Sequence, residues 1–109
     1  PDGMVGADGL VEIKCPNTAT HIETLLGASV SEDYVTQMQW QMACTGRQWC
    51  DFVSFDPRMP GNMQIFIQRV PRDDKRIAEL EEAVAAFLAE ISLKVAALKE
   101  RYDPQAVAA

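Results

Sequence analysis

Two carboxylates and one ammonium at the beginning of the chain form the arrangement best suited to chemistry. Asp2 is followed by Glu12 after nine intervening residues, and Lys14 comes two positions later. Two carboxylates that converge need a cation between them, and an ammonium beside them suits a phosphate oxygen. The spacing therefore predicts a site for a hard cation and a phosphate. The chemistry that it indicates is metal-dependent cleavage of nucleic acid.

The simplest alternative for a Glu-x-Lys triplet is the solvated face of a strand. Here Glu12 and Lys14 share one face of the segment 10–15, whose other members are Leu, Val, Ile and Cys. Such a segment is typical of a central, buried strand. A buried charge costs several kcal/mol unless it is paired or binds a metal. Both interpretations stay open on these residues alone.

A hairpin is the first of the elements that would position this site. Met4–Ala7 and Leu10–Cys15 are apolar runs on either side of Asp8-Gly9, a dipeptide typical of two-residue hairpin turns. Pro16 ends the second strand, because proline has no N–H to donate to a ladder. We therefore expect antiparallel strands that bring the two carboxylates face to face.

Two helices are expected to follow the hairpin. Thr18 or Thr20 can cap a short helix that Gly27 ends, and Ser31 opens a second helix that runs to about Cys44. Polar side chains at steps of three and four form a stripe on the second helix: Tyr34, Gln37 and Gln41. A stripe of this kind is consistent with a polar cleft, and a solvated stripe is the alternative.

The remainder of the chain is predicted to hold two strands and one long helix. Residues 48–55 and 62–70 have the composition of strands and flank turn residues. Apolar residues at steps of three and four predict a helix from Asp73 or Asp74 to about Tyr102. The expected fold is mixed α/β (α+β), in the order β-β-α-α-β-β-α. It would form a single domain with a catalytic core portion (1–70), a long helix (72–102) and a tail (103–109).

Composition excludes several classes of protein. The 109 residues carry a net charge of −6, from 10 basic and 16 acidic side chains, so we do not expect a protein that coats DNA through a basic face. No apolar run is long enough to cross a membrane and no signal peptide is recognisable, which predicts a cytoplasmic protein without a membrane partner. Three cysteines without a Cys-x-x-Cys pair predict reduced thiols rather than a zinc or iron–sulfur site.

Four motifs, in their order and spacing, resemble a known family. They are Pro1-Asp2-Gly3, Gly9-Leu10-Val11-Glu12-Ile13-Lys14-Cys15-Pro16-Asn17, Tyr34-x-x-Gln37-x-Gln39 and Phe55-Asp56-Pro57-Arg58-Met59. Together they resemble the phage lambda exonuclease / YqaJ viral recombinase family of the PD-(D/E)xK nuclease superfamily. The resemblance runs from residue 1 to about residue 70. It implies a restriction-endonuclease-like core, of which the chain would hold the C-terminal part, incomplete at the N-terminus.

The resemblance implies an alkaline exonuclease that digests one strand of double-stranded DNA from its 5′ end in phage-type homologous recombination. Such an enzyme would hydrolyse phosphodiester bonds with two Mg²⁺ ions, for which Mn²⁺ can substitute. Its implied partners are double-stranded DNA ends, a single-strand annealing recombinase and further copies of itself in a homotrimer. Its implied location is the cytoplasm of a bacterial host cell.

The resemblance also implies roles for individual residues. Asp2 and Glu12 would be metal ligands, joined by the backbone carbonyl of Ile13. Lys14 would orient or activate the attacking water, and Gln37 would assist from its helix. Side chains expected to contact the DNA substrate are Thr18, Thr20, His21 and Tyr34.

An upstream region of the family, including a helix with a further acidic ligand and a basic pocket for the 5′ phosphate, has no counterpart in these residues. We therefore expect a fragment that is inactive or nearly so alone, with its active site starting at Asp2. One alternative is another PD-(D/E)xK nuclease of the RecB type, which would carry Gln-x-x-x-Tyr where this chain has Gln37 and Gln41. The other is a non-catalytic assembly module, in which the long helix forms an oligomer face.

Overall fold

A computed structural model describes residues 1–102, so the predicted tail 103–109 lies outside the described residues. The chain divides into two compact units, Pro1–Asp74 and a second that begins at Lys75. Within the described residues, the second unit is helical throughout. None of the helices in residues 1–102 combines the length and apolar character that a membrane span requires.

A four-stranded sheet organises the first unit. Its strands are β1 (Gly3–Val5), β2 (Gly9–Lys14), β3 (Trp49–Phe55) and β4 (Ile65–Pro71). They lie in the order β1-β2-β3-β4, with an antiparallel, a parallel and an antiparallel pairing in turn. The strand that carries Glu12 and Lys14 therefore has a partner on each side, as its apolar composition predicted.

Three α-helices and one 3-10 turn complete the described residues. They are α1 (Thr18–Gly27), α2 (Glu32–Thr45), the 3-10 turn Gly61–Met63 and α3 (Asp74–Tyr102). The parallel pairing of β2 with β3 needs a long crossover connection, which α1 and α2 supply. The predicted order β-β-α-α-β-β-α is confirmed.

The caps of the two short helices are partly as predicted. Ser31 caps α2 through its hydroxyl, and Gly46 ends that helix in a left-handed conformation with φ 71°. Asn17 caps α1, however, because its side-chain carbonyl accepts a hydrogen bond from the Thr20 N–H at 2.9 Å. The prediction that Thr18 or Thr20 would cap this helix is wrong, since asparagine one position earlier reaches the same donor.

The hairpin turn differs from the prediction. Gly9 pairs with Val5 as the first residue of β2, so the loop comprises residues 6–8, and Gly6 adopts φ 57°. Glycine is needed at position 9 because a Cβ there would overlap the indole ring of Trp49. The Asp-Gly signal was wrong as a two-residue turn, since a packing contact from 40 positions downstream sets the local structure.

The predicted strand 62–70 also begins later. Residues 61–63 form the 3-10 turn that follows Pro60, and β4 begins at Ile65. The amide of Asp56 donates to the carbonyl of Gln64 at 2.8 Å, which closes the loop between β3 and β4.

The core lies between α2 and one face of the sheet. Its members are Leu10, Met38, Met42, Cys50, Phe52 and Val70. Because side chains alternate along a strand, Glu12 and Lys14 lie on the same face of β2 as Leu10. The site predicted from the sequence therefore adjoins the core, at the end of β2 that precedes Pro16.

Candidate active site

Glu12 is a buried carboxylate, 6% exposed, on an inner strand of the sheet. Its Oε1 forms an ion pair with Lys14 Nζ at 3.1 Å. Its Oε2 is buried and has no hydrogen-bond partner within the described residues, while the amino nitrogen of Pro1 lies 3.8 Å away. A buried carboxylate oxygen without a hydrogen bond is costly in the absence of a cation. The sequence prediction that Glu12 is buried is confirmed, and its free oxygen fits a metal ligand.

The charge of Glu12 also acts on the neighbouring core. Burial, and then the negative charges of Glu12 and Asp51, together raise the pKa of the Cys50 thiol to about 11. A nearby negative charge opposes ionisation of the thiol.

Asp2 is exposed and is fixed against the backbone of β2. Its amide donates to the carbonyl of Val11 at 2.9 Å, and its Oδ2 accepts from the Ile13 N–H at 2.6 Å. The hairpin thus brings Asp2 to the segment that carries Glu12, as the spacing predicted. The Asp2 carboxylate itself binds a backbone amide rather than a second side chain.

The donors at this site, two carboxylates and a backbone carbonyl, are oxygen ligands of the kind that Mg²⁺ uses in proteins. Residues 1–102 contain no group of three or more His, Cys, Asp or Glu side chains that could hold a metal. Mg²⁺ keeps several waters and uses one or two carboxylates. Asp2, Glu12 and the carbonyl of Ile13 would hold such an ion.

Lys14 lies between a carboxylate and an aromatic ring. Besides its ion pair with Glu12, its Nζ lies 5.0 Å from the centroid of the Tyr34 ring. Tyr34 stacks on Phe52 with ring centroids 5.5 Å apart. The predicted site residues Glu12, Lys14 and Tyr34 are therefore brought together, and Phe52, which the sequence did not single out, joins them.

Gln37 and Gln39 lie on different sides of α2. Gln37 is exposed, whereas Gln39 is only 2% exposed. Gln39 Nε2 donates to the carbonyl of Pro71 at 2.9 Å, and its Oε1 accepts from the Asp73 N–H at the same distance. Gln39 therefore ties α2 to the end of β4, and Gln37 keeps an amide free for solvent or substrate.

His21 does not face solvent, although it was predicted to contact DNA. It is fully buried, with Nε2 hydrogen-bonded to the carbonyl of Met63 at 2.8 Å and Nδ1 to the Ser54 hydroxyl at 2.7 Å. A carbonyl only accepts, so Nε2 must carry a proton. In this arrangement no phosphate can reach the ring, and the prediction for His21 is corrected to a structural role that holds α1 on β3.

Thr18 and Thr20 occupy the first turn of α1. The Thr18 hydroxyl lies beside the Asp56 carboxylate and helps to lower the pKa of that group. Thr20 is exposed and lines a cavity of about 380 Å³ that also touches Tyr34 and Phe52. No basic side chain is among the described residues that line this cavity. Thr20 and Tyr34 thus line one cavity, whereas Thr18 contacts the buried carboxylate of Asp56.

Two arginines that fix the site were not singled out as such from the sequence. Arg47 Nη1 donates to the carbonyl of Gly6 at 2.8 Å, and its Nη2 lies 3.2 Å from the Met4 sulfur. Arg58 binds Asp56 and the carbonyl of Pro16. Arg58 belongs to one of the motifs that carried the resemblance, whereas no local pattern marks the partners of Arg47, which lie more than 40 positions away.

Comparisons with known proteins agree with the geometry. Residues 1–48 match the model of the YqaJ-like viral recombinase domain. Two solved structures match the fold with a TM-score of 0.91 and 58% identity: an alkaline exonuclease (LHK-Exo) from Laribacter hongkongensis, and LHK-Exo in complex with dAMP. Each match covers 93% of this chain and 52% of the exonuclease chain, so the chain spans about half the length of these relatives. No curated protein matches the chain.

The four-stranded sheet with its crossover helices is the fold of the PD-(D/E)xK nucleases, as the structural match to an exonuclease of that fold shows. The chain belongs to the phage lambda exonuclease / YqaJ viral recombinase family. The fold class and the family predicted from the sequence are thereby confirmed.

Proposed function

We propose that this chain supplies part of the active site of a Mg²⁺-dependent exonuclease, which degrades one strand of double-stranded DNA from 5′ to 3′ in phage-type recombination. The observation that carries the proposal is the buried Glu12, with one oxygen paired to Lys14 and the other without a hydrogen bond. Family membership and 58% identity to an alkaline exonuclease support it.

The residues present suit phosphodiester hydrolysis. Bound Mg²⁺ ions would neutralise charge on the scissile phosphate and make a water nucleophilic near neutral pH. Asp2, Glu12 and the Ile13 carbonyl would hold the ion, and Mn²⁺ accepts the same oxygen ligands. The compact ammonium of Lys14 would donate hydrogen bonds to the attacking water or a phosphate oxygen. Gln37 would contact the substrate through its exposed amide.

The proposal also covers the activity of these residues alone, the partners of the protein and its location. Because the chain spans about half the length of LHK-Exo, we propose that these 109 residues alone are inactive or nearly so. The net charge of −6 supports DNA contacts from residues beyond them. Double-stranded DNA ends would be the substrate, a single-strand annealing recombinase the partner, and a homotrimer the assembly. We place the enzyme in the bacterial cytoplasm.

The test of the site is the digestion of linear duplex DNA by the full-length protein and its Glu12→Gln and Lys14→Gln variants. Each substitution is expected to lower the rate by about 100-fold or more, since each removes a group that acts on the reacting atoms. Glu81→Gln makes the same change to an exposed carboxylate on α3 and should keep the rate. A near-normal rate in either site variant, with the fold intact by circular dichroism, would show that the site assignment is wrong.

The direction of digestion and the activity of the 109 residues alone need separate measurements. On a duplex labelled at one 5′ end, the label should appear early as a mononucleotide. A label at the 3′ end should stay on the undigested part of its strand until late in the reaction. Early release of the 3′ label would contradict the proposed polarity. Strong Mg²⁺-dependent digestion by the purified 109-residue chain would contradict the proposal that it is inactive alone.

A further inference from the structure

The ammonium of Lys14 has two contacts of different kinds. One is the ion pair with Glu12 Oε1 at 3.1 Å, and the other is the face of the Tyr34 ring, whose centroid lies 5.0 Å from Nζ. A cation within about 6 Å of a ring centroid is attracted by the negative face of the ring. Lys14 is therefore held by an ion pair with Glu12 on the sheet and by a cation–π contact with Tyr34 on α2.

The ring of Tyr34 is itself fixed from the sheet. It stacks on Phe52 at 5.5 Å with an interplanar angle of 28°, and Phe52 meets Phe66 edge to face at 6.4 Å. Phe52 is 2% exposed, and it pairs with Glu12 in the parallel register of β2 and β3. The ring is therefore supported by aromatic contacts from the sheet, separate from the ion pair between Lys14 and Glu12.

We propose that Tyr34 is a positioning residue, which keeps the Lys14 ammonium at the site through its ring while Glu12 serves as a metal ligand. The inference rests on the proposed function. A carboxylate shared with a metal ion attracts the ammonium less, and the four-carbon stem of lysine is flexible. The ring is then the contact that keeps Nζ in place.

This role differs from the DNA contact that the sequence predicted for Tyr34. A contact with DNA through the hydroxyl would be lost in Tyr34→Phe, whereas a contact of the ring with Lys14 would survive. Tyr34→Leu removes the ring in either case. Val35→Ala is the matched control, because Val35 packs against the same core from the next position of α2 but carries no aromatic ring.

The first experiment measures Lys14 without DNA or metal. The full-length protein is acetylated briefly with an N-hydroxysuccinimide ester, and mass spectrometry compares Lys14 with Lys99, an exposed lysine on α3. Tyr34→Leu should raise the Lys14-to-Lys99 ratio about two- to fivefold, because one of two contacts is gone. Tyr34→Phe and Val35→Ala should leave the ratio unchanged. An unchanged ratio in Tyr34→Leu would overturn the proposal.

The second experiment separates kcat from KM in duplex digestion at saturating Mg²⁺. Tyr34→Leu should lower kcat about fivefold or more with KM for DNA nearly unchanged, and Tyr34→Phe should restore kcat. A raised KM in Tyr34→Phe would overturn the proposal in favour of a DNA contact. The acetylation ratio does not depend on nuclease activity. It therefore tests the contact between Tyr34 and Lys14 even if the proposed function is wrong.

Discussion

Arg58, in the turn after β3, donates to the carbonyl of Pro16, two positions after the end of β2, with Nη2 and O 3.2 Å apart. The same guanidinium binds the fully buried Asp56 through Nε at 2.8 Å. The Thr18 hydroxyl lies beside that carboxylate. The turn after β3 therefore contacts the chain on both sides of the connection from β2 to α1. Arg58 binds the residue two positions after β2, and Asp56 binds the first residue of α1.

Acid should weaken the hydrogen bonds that the Asp56 carboxylate accepts from Arg58 and Thr18. The hydrogen bond from Arg58, and then that from Thr18, lower the pKa of Asp56 from 3.8 to about 2. Because the folded pKa lies below the unfolded one, the stabilisation is full above pH 3.8 and is lost as the pH falls towards 2. We expect thermal unfolding between pH 6 and about 2 to show this loss in the wild type but not in Asp56→Asn, which should be less stable at pH 6.

The control for this series is Asp8→Asn, which changes an exposed aspartate in the hairpin loop. It should keep the wild-type dependence of the melting temperature on pH. Equal acid slopes for Asp56→Asn and the wild type would show that Asp56 contributes nothing to the acid sensitivity.

Substitution of Gln39 should lower stability, whereas substitution of Gln37 should slow DNA digestion. Gln39→Ala leaves the carbonyl of Pro71 and the amide of Asp73 without their side-chain partners, which should cost about 1–3 kcal/mol of unfolding free energy. Gln37→Ala changes an exposed side chain and should stay within about 0.5 kcal/mol, while it slows DNA digestion. Urea unfolding and a digestion assay on both variants test this. Full activity in Gln37→Ala would exclude the proposed contact with substrate.

Gly9→Ala tests the contact that overrides the hairpin signal. The added methyl would overlap the Trp49 ring, so the side chain or the strands must shift at a cost of about 1–3 kcal/mol. Gly61→Ala is the control, because a Cβ there meets nothing within 4 Å. Trp49→Leu in the Gly9→Ala background should recover part of the loss. Denaturant unfolding that shows equal stability for both glycine variants would contradict the overlap.

Arg47 should influence the proposed metal site from a distance. It holds the loop and strand that precede β2, and β1 has only three residues, so its loss should loosen the Asp2 side of the site. We expect Arg47→Ala to raise the Mg²⁺ concentration for half-maximal digestion about threefold or more, with kcat at saturating Mg²⁺ largely kept. Lys75→Ala, at an exposed position of α3, should not change the requirement. An unchanged requirement in Arg47→Ala would show that Asp2 keeps its place without the arginine.

Sequence patterns predicted several features whose causes are local. The apolar segment around Glu12 indicated an inner strand, and Ser31 marked the start of α2, because capping depends on neighbours within a few positions. His21 escaped prediction because its partners lie 33 and 42 positions away. Gly9 was misread for the same reason, since only the folded chain brings Trp49 beside it.

The parallel register of Glu12 with Phe52 has a consequence for synthesis. The hairpin can form as soon as its own residues have left the ribosome, but β3 follows only after both crossover helices have been made. Until then β2 is an edge strand, Glu12 is hydrated, and the ring that holds Lys14 has nothing to stack on. A nascent chain therefore carries Glu12 and Lys14 before the elements that bury and position them have been made.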